Sequence, residues 1–260
     1  MEQGDLEARA NTPVVLLHGF PLSAAIWAPV TPWLEPHAWV ITPDLPGFGG
    51  TPPLPGQVSM EAFAEWVVDL ADDLELGCFF LGGHSMGGYI ALALAEAFPD
   101  RLAGLIMVDS RAAADTPEGA SRRQAAMADI RTHGGGPFRD GFVTNLVGET
   151  TRRRRPEVVG ELRAMAELAA DEVLVACLEA MRVRPDRSGL LAALDIPALV
   201  LVGEEDTVTP PGEAQAMARL LPQAELALIP GSGHTPSLEQ PEVTGRILAR
   251  WVASLASHQP

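Results

Sequence analysis

The sequence predicts an α/β fold, a mostly parallel sheet of about six to eight strands flanked by helices and interrupted by a helical insertion. Three observations carry this expectation. Short continuous apolar runs alternate with segments of 3.6-residue apolar period, as doubly buried strands and their crossover helices require. The strand signal stops between Arg111 and Ser188, where helix-like segments and breakers such as Gly134-Gly135-Gly136-Pro137 take over. A chain of 260 residues, 47% hydrophobic and 20% charged, has room for one large domain with a sizeable core.

In chain order, strands are expected at Val14 to Leu17, Trp39 to Thr42, Cys78 to Leu81, Leu105 to Val108, Ala198 to Val202 and Leu226 to Ile229, each a continuous apolar run. Helices fit Ser59 to Leu74, Ser85 to Phe98, Pro211 to Leu221 and Pro241 to Leu255. The first of these has Ser59 as its N-cap, and Phe63, Trp66, Val67, Leu70 and Leu74 recur on one face. The core is therefore expected to comprise residues 1–110 and 189–260, and a helical cap residues 111–188.

Charge divides along the same boundary. The insertion holds 13 Arg against 12 acidic residues and the remainder 5 Arg against 22, which together give the net −16. A roughly neutral insertion docking on an acidic core accounts for this, as would arginines facing a cleft to attract an anionic substrate. The Arg152 to Arg155 run reads as a solvated loop, and the overall charge argues against a nucleic-acid partner. Every basic residue is Arg, so Schiff-base chemistry, pyridoxal phosphate attachment and a P-loop lysine are excluded. Cys78 and Cys177 have no disulfide or metal-ligand spacing and read as buried thiols. No apolar run approaches bilayer length, and Met1 to Asn11 lacks a signal-peptide pattern, so a cytoplasmic protein without membrane contact is expected.

Gly83-His84-Ser85-Met86-Gly87 lies between an expected strand and an expected helix. A sharp strand-to-helix turn needs glycines where a Cβ would clash and leaves Ser85 exposed at the sheet's carboxyl edge as a nucleophile. A serine hydroxyl needs a base and the base needs an orienting group. Of six histidines, His37, His133 and His258 read as surface residues, His84 as structural, and His18 as a brace for its own loop. His234, in the glycine-rich loop Gly231-Ser232-Gly233-His234-Thr235 after the last strand, is the expected base. Asp206 follows the strand Ala198 to Val202 and is the expected orienting acid, with Asp109 at the end of another strand as its competitor. Oxyanion donors are expected from the N–H of Met86, just after the nucleophile, and of Phe20 in His18-Gly19-Phe20-Pro21. Phe20, Trp27, Met86 and Met107 are candidates for the walls of a substrate pocket.

With these pieces in place, the chain resembles the α/β-hydrolase superfamily over essentially its whole length. The matching motifs are Leu17 to Pro21, Asp44-Leu45-Pro46-Gly47-Phe48-Gly49, Gly83 to Gly88, Gly203 to Asp206 and Gly233-His234. The stretches Val108 to Gly119 and Arg182 to Asp186 resemble small bacterial carboxylesterases, 3-oxoadipate enol-lactonases and non-haem haloperoxidases. Only thirteen residues precede the first strand, short of the two extra strands that usually open this fold, so six well-formed strands are expected. A serine nucleophile, a lone Tyr89 and the missing lysine argue against dehalogenase, epoxide hydrolase and hydroxynitrile lyase chemistry. The resemblance implies a serine esterase that needs no cofactor or metal and acts on a small-molecule ester or lactone. The alternatives are an enol-lactonase with an arginine clamp, a perhydrolase-like activity on the same triad, and a non-catalytic binding protein of the same fold.

Overall fold

A computed structural model describes residues 12–256; Met1 to Asn11 and His258 lie outside the described residues. The described sheet has six strands, all parallel: β1 (Val14–Leu17), β2 (Val40–Ile41), β3 (Phe79–His84), β4 (Leu102–Val108), β5 (Ala198–Gly203) and β6 (Ala224–Ile229). Their spatial order is β2-β1-β3-β4-β5-β6. The chain therefore grows outward from β1 to β2, returns to lay β3 on β1's other side, and continues away. The carboxyl ends of β1 and β3 flank the resulting switch point, where open α/β sheets place their ligands.

The strand runs are continuous because both faces are covered. Val14 and Leu16 point into one core with Leu34, Leu248 and Trp251, while Val15 and Leu17 point into the other with Phe63, Val67, Ile90 and Leu94. Helices α1 (Thr31–Leu34) and α12 (Pro241–Ala256) cover the first face. The second is covered by α2 (Met60–Asp73), α3 (Met86–Ala97) and α10 (Pro211–Leu220). The Ser59 hydroxyl caps α2 by accepting the Ala62 N–H at 3.1 Å.

Two elements depart from expectation. β6 is an edge strand whose Leu226 and Leu228 are partly exposed, because β5 alone pairs with it; an apolar run does not reveal that one side lacks a neighbour. Cys78 is an exposed thiol, since β3 begins one residue later, whereas Cys177 is buried and its thiol is pushed up to about 12 by that burial.

Between β4 and β5 the described chain is helical throughout: α4 (Pro117–His133), α5 (Gly135–Thr144), α6 (Glu149–Arg154), α7 (Glu157–Ala166), α8 (Asp171–Val183) and α9 (Ser188–Leu191). Arg152 to Arg154 are exposed on α6 and not on a loop, and Arg155 binds the carbonyls of Leu238 and Glu239. Most of the insertion's arginines pair with its own acids, as in Arg139–Asp171 and Arg163–Asp140. Arg187 is the buried exception, reaching Glu61 and Glu96 of the core. Apolar residues of the insertion such as Val143, Leu146 and Leu162 pack into the core, and polar contacts add to this: the His234 N–H donates to Leu146, and the Thr150 N–H donates to Glu205. No helix among the described residues is long and apolar enough to cross a membrane. The acidic excess of the sequence thus stays with the core.

Candidate active site

β3 ends at His84 and α3 begins at Met86, so Ser85 makes the whole turn, with φ 51° and ψ −110°. Positive φ is costly for a residue with a Cβ and persists where surroundings enforce it. Those surroundings are glycines: a Cβ on Gly83 would sit 2.2 Å from the Gly87 carbonyl, and one on Gly87 2.6 Å from the Leu17 carbonyl oxygen. The Ser85 N–H donates to the Val108 carbonyl and the Ser110 hydroxyl to the Ser85 carbonyl, pinning the turn to β4. Across residues 79–95 every side chain is buried except Ser85, which is partly open.

The β5 end supplies Asp206 and the loop after β6 supplies His234, brought together at 2.8 Å between Nδ1 and Asp206 Oδ2, both buried. Asp206 also accepts the N–H groups of Val208 and Thr209 on Oδ1 and the Thr209 hydroxyl on Oδ2. Burial acts to raise the Asp206 carboxyl, but the His234 charge and the hydrogen bonds from His234 and Thr209 outweigh it, and the net shift is downward. An ionised Asp206 fixes the proton of His234 on Nδ1, leaving Nε2 as the free base. Asp109 does not contact the imidazole by hydrogen bond: its Oδ1 accepts the Gly203 N–H at 2.9 Å and its Oδ2 has no partner. One ligand atom from each of Asp109, Asp206 and His234 falls within 4.8 Å of the others, but His234 Nδ1 is committed to Asp206 and offers no lone pair there to a cation.

His84 donates Nε2–H to the His234 carbonyl at 2.6 Å, and their rings lie 5.0 Å apart. Burial, then the nearby His234, lower its pKa to about 3, so it remains neutral and structural. His18 accepts the Leu45 N–H on Nε2, tying the β1 loop to the next one; burial lowers its pKa to about 4. A Cβ on Gly19 would lie 2.6 Å from the His84 ring, so this loop can rest on the elbow only as glycine. The loop turns through a Leu22 N–H to Gly19 carbonyl bond, which leaves the Phe20 N–H out of the turn's own pairing. The Met86 N–H, first in α3, has no acceptor within the helix.

Phe20 meets Phe138 and Phe142 of α5 at ring distances of 6.1 and 5.5 Å. The two α5 rings form one wall of a cavity of about 480 Å3 that continues past Leu178 to Thr207 and Val208, just after Asp206. Arg111, Arg122 and Arg123 line it. Of Phe20, Trp27, Met86 and Met107, expected at a pocket wall, all are buried and none lines this cavity. Trp27 lies in the core with Leu22, Ile26 and Val30, its ring perpendicular to that of His84, and Met107 packs under Gly88 of α3. A strand-end apolar residue points either to the cleft or to a helix, and spacing alone does not decide which.

Glu239, which sequence reasoning passed over, is buried in α11 (Pro236–Glu239) and gathers the N–H groups of Gly148, Gly233 and Thr235 on its carboxylate. The signal was present in Thr235-Pro236-Ser237-Leu238-Glu239, a helix start with Pro at its first position and an acid reaching back to the cap.

A parallel sheet with a strained serine between strand and helix, and a buried His–Asp pair beside it, defines a hydrolase architecture. The chain belongs to the alpha/beta hydrolase fold family, whose sequence profile matches residues 12–241. It is similar to a thermophilic esterase from Thermogutta terrifontis, solved with malate bound, at 41% identity and a TM-score of 0.89, covering 95% of this chain and 91% of that one. It is also 30% identical over 244 residues to the pimeloyl-acyl-carrier-protein methyl ester esterase of Aromatoleum aromaticum, covering 89% of this chain and 95% of that protein. The fold is shared with an enol-lactonase from Burkholderia xenovorans, at 23% identity and a TM-score of 0.85, covering 93% of this chain and 92% of that one.

Proposed function

We propose that this protein hydrolyses carboxylic esters through Ser85, His234 and Asp206, with residues 111–188 as a cap over the cleft. The observation that carries the reading is the buried 2.8 Å contact of His234 Nδ1 with Asp206, beside an elbow that leaves Ser85 as its single open side chain. His234 Nε2 takes the Ser85 proton as Oγ attacks the ester carbonyl. Asp206 stays ionised and stabilises the imidazolium. The oxyanion draws on the N–H groups of Met86 and Phe20, and the amino end of α3 adds its positive dipole. Collapse releases the alcohol, which takes the proton from His234, and leaves an acyl-Ser85. Water, deprotonated by His234, then attacks the acyl carbon; the second tetrahedral adduct expels Ser85, which recovers its proton. The esterase names of the Thermogutta terrifontis and Aromatoleum aromaticum proteins support the same chemistry.

The cavity beside the Asp206 loop, which Ser85 and His234 do not themselves line, favours esters or lactones that carry a carboxylate far enough from the scissile bond to reach it. Three arginines face it and its one acid, Asp115, is already held by Arg123 and Arg184. Arg111 has a buried Nε without a partner. The malate bound in the Thermogutta terrifontis esterase is itself a dicarboxylate.

The test is hydrolysis of a p-nitrophenyl ester series from acetate to decanoate, together with 3-oxoadipate enol-lactone, by wild type and Ser85→Ala. Wild type is expected to turn over simple esters and Ser85→Ala to lose on the order of 10⁴-fold or more in kcat. Preference for the lactone would select the anionic reading. Undiminished hydrolysis by Ser85→Ala would overturn the nucleophile assignment, and an inactive but folded wild type would move weight to the non-catalytic alternative.

A further inference from the structure

Asp109 directly follows β4 at φ 45°, another non-glycine residue in the left-handed region, and is wholly buried. It stands beside the Asp206–His234 pair, with one ligand atom of each of the three within 4.8 Å of the others. Two buried carboxylates at that separation, beside one imidazole, do not both hold a negative charge. Their competition is unequal. Asp206 takes four donors, the Val208 and Thr209 N–H groups, the Thr209 hydroxyl and His234 Nδ1–H. Asp109 takes one, the Gly203 N–H on Oδ1, and its buried Oδ2 has none. No cation among the described residues pairs with it: Arg111, two residues on, is engaged by the Val208 carbonyl and Glu213, and His84 is neutral. Glu239, on α11, adds negative charge from a third side.

We propose that Asp109 is an un-ionised positioning residue whose Oδ2–H donates to the Asp206 carboxylate and thereby holds the acid that orients His234. Proton and orphan match: the oxygen without a partner is the one that gains a hydrogen to give. Burial, then the charge of Asp206, push the Asp109 carboxyl well above the usual carboxylate range, the same direction as the geometry. A neutral donor serves the base better than a second carboxylate would. An ionised Asp109 would have no proton to donate and would set a second buried negative charge against Asp206.

The inference rests on the triad reading above, so its test includes a readout that needs no turnover. Asp109→Asn keeps a neutral group able to accept from Gly203 and donate to Asp206; Asp109→Ala keeps neither. On p-nitrophenyl acetate, Asp109→Ala is expected to lose about tenfold in kcat/KM and Asp109→Asn to restore most of it, with the acid limb of the pH profile unmoved. The infrared carbonyl stretch of an un-ionised carboxylic acid should be present in wild type at pH 7 and absent from Asp109→Asn. A fall of the acid limb by about one pH unit in Asp109→Asn, the signature of a removed negative charge, would overturn the proposal. So would a wild-type spectrum without the band. An inactive wild type that still shows the band would sink the esterase reading and leave Asp109 protonated; if Asp109→Ala does not fold, Asp109→Asn and the band decide.

Discussion

At the scale of single residues, the site is held by buried polar groups, most of whose atoms are paired and a few of which, such as Asp109 Oδ2, are not. Glu239 is the clearest case outside the proposed triad. Its Oε2 accepts the N–H groups of Gly148 and Gly233 at 2.8 and 2.9 Å, and its Oε1 the N–H and hydroxyl of Thr235 at 3.0 and 3.1 Å. These residues bracket His234 on both sides and tie it to the insertion. Glu239→Gln replaces one of the two oxygens with an amide that donates, so whichever way it turns it faces a donor with a donor. The expected cost is about 1–3 kcal/mol of stability. The lower kcat/KM that should accompany it reflects a loosened His234 loop. Urea unfolding and ester kinetics on the same preparation check both; unchanged stability would mean that the carboxylate is not what holds the loop.

At the scale of elements, the insertion meets the His234 loop backbone to backbone. A Cβ on Gly233 would lie 2.2 Å from the Gly148 nitrogen and 2.6 Å from the Val147 carbonyl carbon, neither of which can rotate away as a side chain could. Gly233→Ala is therefore expected to cost about 1–3 kcal/mol. Gly160→Ala, exposed within α7 and with nothing near its Cβ, should instead stabilise by about 0.5–1 kcal/mol. Thermal unfolding of the pair measures this, and equal effects would refute the contact as the cause. The same elements show what a sequence can carry. β1, β3, β4 and β5, and helices α2, α3, α10 and α12, follow from apolar runs and periods because burial on both faces of a strand, or one face of a helix, writes itself into composition. The elbow is equally legible, since Gly83 and Gly87 are required by backbone contacts close in sequence. The exposure of β6, the core placement of Trp27 and Met107, and the orphaned Oδ2 of Asp109 are not. Each depends on what stands beside the residue in space, which neighbouring positions in the chain do not encode.

At the scale of the whole molecule, the network of buried imidazoles sets how the fold responds to acid. His18 and His84 have pKa values lowered from 6.5 to about 4 and about 3, chiefly by burial. In each case the neutral ring is already committed. His18 accepts the Leu45 N–H on Nε2, and His84 gives its only proton to the His234 carbonyl. Both folded values are depressed, so the unfolded chain takes up protons below pH 6.5 that the folded chain refuses. Their contribution to stability is complete above 6.5 and lost as pH falls through 6.5 toward 4 and then 3, at about 1.4 kcal/mol per pH unit for each ring. Asp206, also depressed, adds a loss that begins only below the carboxylate range. Asp109 acts in the opposite sense: raised in the fold, it stabilises below 3.8 and that contribution is lost as pH rises through its folded value. Between pH 6 and 5 the two imidazoles thus give a slope of about two protons. His18→Asn, which can still accept from Leu45, should reduce that slope to about one while changing stability at pH 8 much less. Urea unfolding at half-unit steps from pH 8 to 5 reads the slope directly, and a variant with the wild-type slope would show that His18 takes up its proton without unfolding.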